Sequence, residues 1–211
     1  GEDVQIEQMQ DVKFDRALKL HRSEPAEVVA VAERIDAEQV AVRVLTRRQT
    51  KTGREVEQEH YTCKILTGKG NLGVSMEANP IDPTHGTWLK GPDREAIYER
   101  FFHEGTFQVL DAVVTLSEDH IIGYGSLGEE SLVAGASDSA MLTRPLLREA
   151  AFQVMGLWGM ICDELSYLPH AIEKDVMCDT SRALSPGERF VVRGSRGESG
   201  KEGILRFDRI E

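Results

Sequence analysis

The sequence predicts an α+β protein in which long antiparallel sheets wrap round a central helix. Two observations support this. The first third of the chain consists of alternating or β-branched runs without helical periodicity, whereas residues 144–164 have the apolar period of one long helix. A doubly wound α/β protein needs a helix between most of its strands, and this chain offers too few helices for that class.

Four strands are predicted before residue 70, joined by short turns. They are Val4–Leu20 with a polar break at Gln10-Asp11, Ala26–Asp36, Gln39–Arg48 and Glu55–Thr67, with turns at Ala37-Glu38 and Thr52-Gly53. One polar face on the last strand is typical of an antiparallel sheet. The segment therefore predicts a meander that contains strands only.

The remainder predicts a linker followed by a second domain. Residues 71–94 are rich in glycine, proline and asparagine, which is typical of a linker. After them we expect a short helix (Arg94–Phe102), strands (Phe107–Ser117 and His120–Leu127), a loop (Gly128–Ser139), the long helix, and strands near Ala171–Cys178, Arg189–Arg196 and Lys201–Ile210, the last two joined across Gly197–Gly200. The predicted domains are 1–70, which has strands but no helix, and 95–211, which includes helix 144–164.

Composition excludes several classes of protein. The net charge of −11 argues against nucleic acid or an anionic membrane as a partner, since both require basic surface. The three cysteines form no paired framework, which predicts reduced thiols and a cytoplasmic location. No apolar run is long enough to span a membrane, and no signal peptide is recognisable. A first residue of glycine suggests an excised piece of a longer protein.

The long helix carries a polar pair on its apolar face. Glu149 and Gln153, one turn apart, share a face with Leu146, Leu157 and Met160. Such a pair is costly to bury unless its members bond to each other or to a ligand, and it suits a general acid with an orienting partner. The alternative places the pair at a solvated edge of the helix, with Glu149 favoured by the helix dipole. Thr143 is the expected N-cap of this helix. If the helix is assigned correctly, Leu157 and Trp158 should be buried.

A long antiparallel sheet with a helix across it is the hotdog arrangement, and four segments in order resemble one family that has it. They are KFDRALKL, YERFFHEGTFQVLDAV, RPLLREAAFQVMGLWG and YLPHAIEKD. Together they resemble the dehydratase domains of polyketide synthases and polyunsaturated fatty acid synthases. The resemblance implies a double hotdog fold, whose first hotdog is incomplete here because no central helix is predicted in it.

The resemblance also implies an activity and a site. The family removes water from β-hydroxyacyl thioesters carried on the phosphopantetheine of an acyl carrier protein, with no bound cofactor or metal. The implied catalytic residues are Glu149 as acid and Gln153 as its partner, and the implied substrate-binding residues are His103, Phe107 and Leu157. The implied partners are the carrier protein, neighbouring synthase domains and a second copy in a homodimer.

Two departures from the family keep an alternative open. The family has aspartate where this chain has Glu149, and its base lies in a His-x-x-x-Gly-x-x-x-x-Pro pattern that is not found here; the glycines and proline after His85 have a different spacing. The base is therefore expected from an upstream segment or from His103. The alternative is a catalytically inactive module with a structural or carrier-docking role. Another hotdog chemistry, a thioesterase or product-template cyclase, ranks below both. The other histidines (His21, His60, His120 and His170) are predicted at the surface or at strand edges.

Overall fold

The structure is a computed structural model, and it describes residues 5–18, 27–50, 52–68, 90–128, 145–166, 168–176, 187–196 and 203–209. The predicted cap Thr143, His85, most of the linker, most of the loop 128–139 and the hairpin tip 197–200 lie outside these residues. The chain divides into two compact units, residues 1–75 with 169–181 and residues 76–168 with 182–211.

The described residues form antiparallel strands and two α-helices. The strands are β1 (Gln5–Phe14), β2 (Glu27–Arg34), β3 (Gln39–Gln49), β4 (Glu55–Gly68), β5 (Leu110–Leu116), β6 (His120–Ser126), β7 (Ala171–Val176), β8 (Arg189–Arg196) and β9 (Gly203–Arg209). The helices are α1 (Arg94–Tyr98) and α2 (Pro145–Cys162), with a 3₁₀ turn at Gly105–Phe107. None of the described helices combines the length and the apolar character needed to cross a bilayer.

Unit 1 is a five-stranded sheet in the order β2-β3-β4-β1-β7, with every neighbouring pair antiparallel. The described residues of this unit contain no helix. Strand β7 pairs with β1, Val12 lying opposite Ile172. This differs from the predicted second domain 95–211, which included residues 171–176, because strand pairing joins segments more than 150 residues apart that local sequence patterns do not relate.

The polar break predicted in the first strand is a β-bulge. The register of β1 on β4 shifts between Gln10 and Lys13, and Asp11 has a φ of 50°. Aspartate is among the few residues that enter this left-handed region at modest cost. Its carboxylate pairs with Lys64 Nζ at 2.7 Å, which lowers the pKa of Asp11. The bulge thus keeps β1 in the sheet on both sides of an irregular residue.

The two turns predicted in unit 1 are confirmed. Between β2 and β3, Asp36 Oδ1 accepts the backbone N–H groups of Glu38 and Gln39 at 2.8 and 2.9 Å. Between β3 and β4, Gly53 has a φ of 77° and donates its N–H to Thr50 O at 2.9 Å. An aspartate side chain and a glycine with positive φ are the usual chemistry of tight turns.

Unit 2 is a four-stranded antiparallel sheet, in the order β5-β6-β8-β9, with α2 packed against it. Its core contains the apolar side chains of α1, α2 and the inner strands. The fully buried members are Ile97, Val109, Leu110, Val113, Leu116, Ile121, Leu146, Ala150, Val154, Leu157, Trp158, Phe190 and Val192. A Cβ at Gly125 would collide with the carbonyl oxygen of Val109 and the ring of Phe190, so this strand position admits only glycine.

Helix α2 begins and ends within two residues of the predicted bounds. Pro145 is its first residue, where the missing N–H costs nothing. Glu164, with a φ of 55°, ends it, and Leu165 N–H bonds back to Gly159 O at 3.1 Å. Leu157 and Trp158 are 0% and 2% exposed, as the predicted helix required. The indole of Trp158 donates to Ser117 O at 3.0 Å, so its one polar atom is satisfied inside the core.

Candidate active site

The segment between α1 and β5 is fixed to unit 2 by Arg94. Its guanidinium donates to Asp111 Oδ1 and to Gln108 O, each at 2.9 Å, and its Cζ lies 5.4 Å from the ring centre of Tyr98. Asp93 caps α1, since its carboxylate accepts the N–H of Ala96 at 3.1 Å. Residues 94–111 are therefore held at both ends, and the short loop between the ends carries His103.

Gln153 is a buried hydrogen-bonding centre in the middle of α2. The residue is 1% exposed. Its Nε2 donates to Phe107 O at 2.7 Å and to Glu149 Oε1 at 2.9 Å, and its Oε1 accepts the hydroxyl proton of Tyr98 at 2.9 Å. Because the carbonyl of Phe107 can only accept, the amide nitrogen must face it, and the orientation of the amide is fixed.

Tyr98, the last residue of α1, completes the set. Its hydroxyl oxygen accepts the backbone N–H of Leu110 at 2.8 Å, so the hydroxyl proton is directed to Gln153. Burial raises the pKa of Tyr98 to about 12. The phenol is therefore protonated at all physiological pH values and acts as a permanent donor to the amide.

Glu149 and His103 meet at the end of this chain of hydrogen bonds. His103 Nε2 lies 2.9 Å from Glu149 Oε1, the same oxygen that accepts from Gln153. The two side chains are 15% and 21% exposed, so both are mostly screened from water but not fully buried. An imidazole and a carboxyl group in contact can hold, give and receive protons, as general acid–base catalysis requires.

The imidazole of His103 is enclosed by aromatic rings. The ring of Phe101 meets it edge-on with centres 5.2 Å apart, and that of Phe102 stacks on it with centres 4.5 Å apart. The backbone carbonyl of His103 accepts Gln108 Nε2 at 3.0 Å. Its Nδ1 is buried, and no residue in the described part of the chain makes a hydrogen bond to it.

The structure brings together four of the five residues proposed from the sequence. Glu149 contacts both Gln153 and His103, and Phe107 joins them through its carbonyl, which accepts from Gln153, while the residue is 45% exposed. Leu157 differs: it is 0% exposed and packs in the core of unit 2, so its contacts here are with protein. Leu157 shares a helix face with Glu149 and Gln153, but where the sheet covers that face a leucine becomes part of the core.

The solvated-edge alternative fails for Gln153, which is fully enclosed, while Glu149 lies at the boundary of the core. Sequence reasoning missed Tyr98, although it is the first residue of the quoted aromatic segment. It also misplaced His60, which is 3% exposed and bonded to Thr46 Oγ1 at 3.0 Å, rather than at the surface. No group of three or more His, Cys, Asp or Glu within the described ranges is placed to hold a metal ion.

Neither a protein-family model nor a curated protein matches the chain. Solved structures match it over nearly its whole length. The dehydratase domain of RzxB from Pseudomonas fluorescens aligns at 14% identity and a TM-score of 0.60, covering 95% of this chain and 68% of that one. The dehydratase domain from the CurK module of the curacin polyketide synthase aligns at 15% and 0.66, covering 97% and 70%.

A third solved structure, a trans-AT polyketide synthase dehydratase domain from Brevibacillus brevis, aligns at 16% identity and a TM-score of 0.65, covering 98% of this chain and 70% of that one. Likeness at these identities establishes fold. The chain therefore has the fold of polyketide synthase dehydratase domains, and the predicted hotdog arrangement is confirmed. The sheet of unit 1, with no helix among its described residues, fits the incomplete first hotdog that the sequence predicts.

Proposed function

We propose that this chain is a dehydratase-type domain of a polyketide or polyunsaturated fatty acid synthase. It removes water from β-hydroxyacyl thioesters and gives enoyl thioesters. The observation that supports this most is that Glu149, on the long helix of a dehydratase fold, contacts both Gln153 on the same helix and His103 on the loop after α1. Removal of water needs a base for the α-proton and an acid for the departing hydroxyl, and this cluster contains groups of both kinds.

Glu149 is the proposed acid, and Gln153 is the residue that positions it. The amide of Gln153 is itself fixed by Tyr98 and the carbonyl of Phe107, so the carboxyl group has one preferred orientation. Fixing a reacting group in this way lowers the entropy that the transition state must lose. Among the structural relatives, the CurK dehydratase has inactive mutants in which a histidine is changed to phenylalanine or an aspartate to asparagine. The pairing of an imidazole with a carboxyl group is thus a reasonable requirement here too.

The proposed substrate arrives on the phosphopantetheine arm of an acyl carrier protein. Two rings in the segment that carries His103 are exposed, Phe102 at 85% and Phe107 at 45%, and they offer apolar surface to an acyl chain. Neighbouring synthase domains and a second copy of the chain are the other proposed partners. The structural relatives come from polyketide synthases, which supports this setting.

The test is a water-loss assay on the native chain and on Glu149→Gln. A β-hydroxyacyl thioester on carrier protein is the substrate, and mass spectrometry follows the loss of water. The glutamine keeps the shape of the side chain and removes the acidic proton, so we expect a loss of activity of about 10²–10⁴-fold. The matched control is Glu95→Gln in α1, which changes an exposed carboxylate and should keep native activity. A Glu149→Gln variant as active as the native chain would refute the assignment of the acid.

A catalytically inactive, carrier-docking module is the second candidate. Two observations favour it: glutamate occupies the position of the family's aspartate, and the family's histidine pattern is not found in this sequence. This candidate is supported if the native chain binds carrier protein in a titration yet turns over no substrate. It also expects Glu149→Gln to bind carrier protein as the native chain does.

A further inference from the structure

Two side-chain nitrogens converge on one oxygen of Glu149. Gln153 Nε2 donates to Glu149 Oε1 at 2.9 Å. The amide is fixed in this orientation, because its oxygen accepts from Tyr98 and its nitrogen also donates to Phe107 O. His103 Nε2 lies 2.9 Å from the same oxygen, Oε1. Neither contact uses Oε2, so the carboxyl group is held at one of its oxygens by two different elements, helix α2 and the loop after α1.

The surroundings of His103 make its Nε2 a donor in this contact. The other ring nitrogen, Nδ1, is buried and has no hydrogen-bond partner among the described residues. Because buried N–H groups are almost always paired, Nδ1 is the bare nitrogen of the neutral ring and Nε2 carries the proton. Oε1 of Glu149 then accepts two hydrogens, which suits a carbonyl-type oxygen that has both lone pairs in the plane of the group. The acidic proton of Glu149 accordingly belongs on Oε2.

His103 is itself held in place, as a residue that positions another must be. Phe101 meets its ring edge-on, Phe102 stacks on it, and its backbone carbonyl accepts Gln108 Nε2 at 3.0 Å. The side chain is 15% exposed, so water competes little for its bond to Glu149. The donor therefore stays where the carboxyl group needs it.

A glutamate needs a second donor more than an aspartate does. Its side chain has one more rotatable bond, so more conformational freedom must be removed to keep the carboxyl group in one place. Gln153 lies on the same helix as Glu149, one turn away, whereas His103 belongs to another element. Two donors on different elements restrain the carboxyl group more tightly than one donor on its own helix.

We propose that His103 is a positioning residue of the dehydration, whose Nε2–H fixes Oε1 of Glu149 and keeps the acidic proton on Oε2. This rests on the proposed function. When that proton is given up, the carboxyl group becomes charged, and hydrogen bonds to a charged oxygen are roughly twice as strong as bonds to a neutral one. The bond from His103 therefore strengthens during the step, so it raises the rate rather than the affinity for substrate. The role uses no basic atom of the imidazole.

The test compares His103→Phe with His103→Gln in steady-state assays of water loss from a β-hydroxybutyryl pantetheine thioester. Phenylalanine keeps a ring against Phe101 and Phe102 but has no donor, whereas the side-chain nitrogen of glutamine reaches about as far as Nε2 of histidine. We expect His103→Phe to lower kcat about 10–100-fold, as the loss of one hydrogen bond to a charged group does, with KM within about twofold of native. His103→Gln should recover most of that loss.

Three results would overturn the proposal. Native kcat and KM in His103→Phe would show that the bond is not needed. A raised KM with native kcat would assign His103 to substrate binding. A His103→Gln variant as impaired as His103→Phe would show that the imidazole itself is required. The control is His170→Gln, which changes an exposed histidine of unit 1 and should keep native kcat and KM.

Shortening the acid tests the same geometry from the other partner. Glu149→Asp introduces the residue that the family has at this position, but its carboxyl group ends one bond short of the nitrogens of His103 and Gln153. Misplacing a catalytic group by such a distance can cost about 10²-fold in rate, and we expect a fall of that order in kcat. A Glu149→Asp variant as active as the native chain would show that the two donors do not set the position of the acid.

Nitrogen-15 NMR of the native chain separates failure of this inference from failure of the proposed function. We expect the neutral ring of His103 to carry its proton on Nε2. A proton on Nδ1 would overturn the inference, and because the measurement needs no variant it decides even where His103→Phe fails to fold. A native chain with the proton on Nε2 but without water loss would instead refute the proposed function.

Discussion

Replacing Gln153 by methionine measures how much the buried hydrogen bonds of the site contribute to folding. The two side chains have similar length and volume, so the change leaves little cavity and removes mainly the polar contacts. Three hydrogen bonds are lost, those to Phe107 O, Glu149 Oε1 and the Tyr98 hydroxyl. Each contributes about 1 kcal/mol net, and the partner groups that stay buried without a replacement add to the cost. We expect the free energy of unfolding to fall by about 3–4 kcal/mol.

The assay is urea unfolding of the native chain and the variant, followed by far-ultraviolet circular dichroism. Gln49→Met, at the exposed end of β3, is the matched control and should stay within about 0.5 kcal/mol of native. A Gln153→Met variant within about 1 kcal/mol of native would refute the account. In that case water, rather than the amide, would satisfy the groups around Gln153.

Three other variants test separate features. Tyr98→Phe should remove a loss of stability at high pH. Burial raises the pKa of Tyr98 to about 12, so the native chain loses stability as pH rises from the unfolded pKa near 10 through 12. A pH series of thermal unfolding should show no such loss from this residue in the variant. Gly125→Ala should lower the free energy of unfolding by about 1–3 kcal/mol or more, because the new Cβ would meet Val109 O. Gly128→Ala, where no atom lies within 4 Å of the new Cβ, is the control and should not be destabilised. Equal urea midpoints for the two variants would contradict this. Leu157→Ala should cost about 2–5 kcal/mol in the same assay, whereas a change in substrate affinity with native stability would restore its substrate-binding role.

The parts of the fold and site that follow from local patterns could be predicted. The apolar period of α2 placed Glu149 and Gln153 one turn apart on the face that packs against the sheet, and the structure shows them bonded. The polar break at Asp11 marked the bulge of β1. Each of these depends on residues within a few positions of each other, where spacing alone fixes which side chains share a face.

The parts that depend on distant segments could not be predicted in the same way. Tyr98 contacts Gln153 across 55 positions, and an aromatic residue on a short helix gives no sign of such a partner. The end of α2 was misplaced by two residues because Glu164, not a glycine, takes the left-handed conformation there. His60 was assigned to the surface because alternation identifies two faces of a strand but not which face is covered.

The pairing of β7 with β1 has a consequence for how the chain is made. Strand β1 leaves the ribosome before its neighbour β7 (residues 171–176), which follows more than 150 residues later. Until then the nascent sheet keeps an open edge at β1, with backbone groups that invite pairing with other chains. A chain that stops at residue 168 keeps that edge permanently. Such a truncated product also lacks β8 and β9, which leaves the edge of β6 open as well, and it should aggregate on expression.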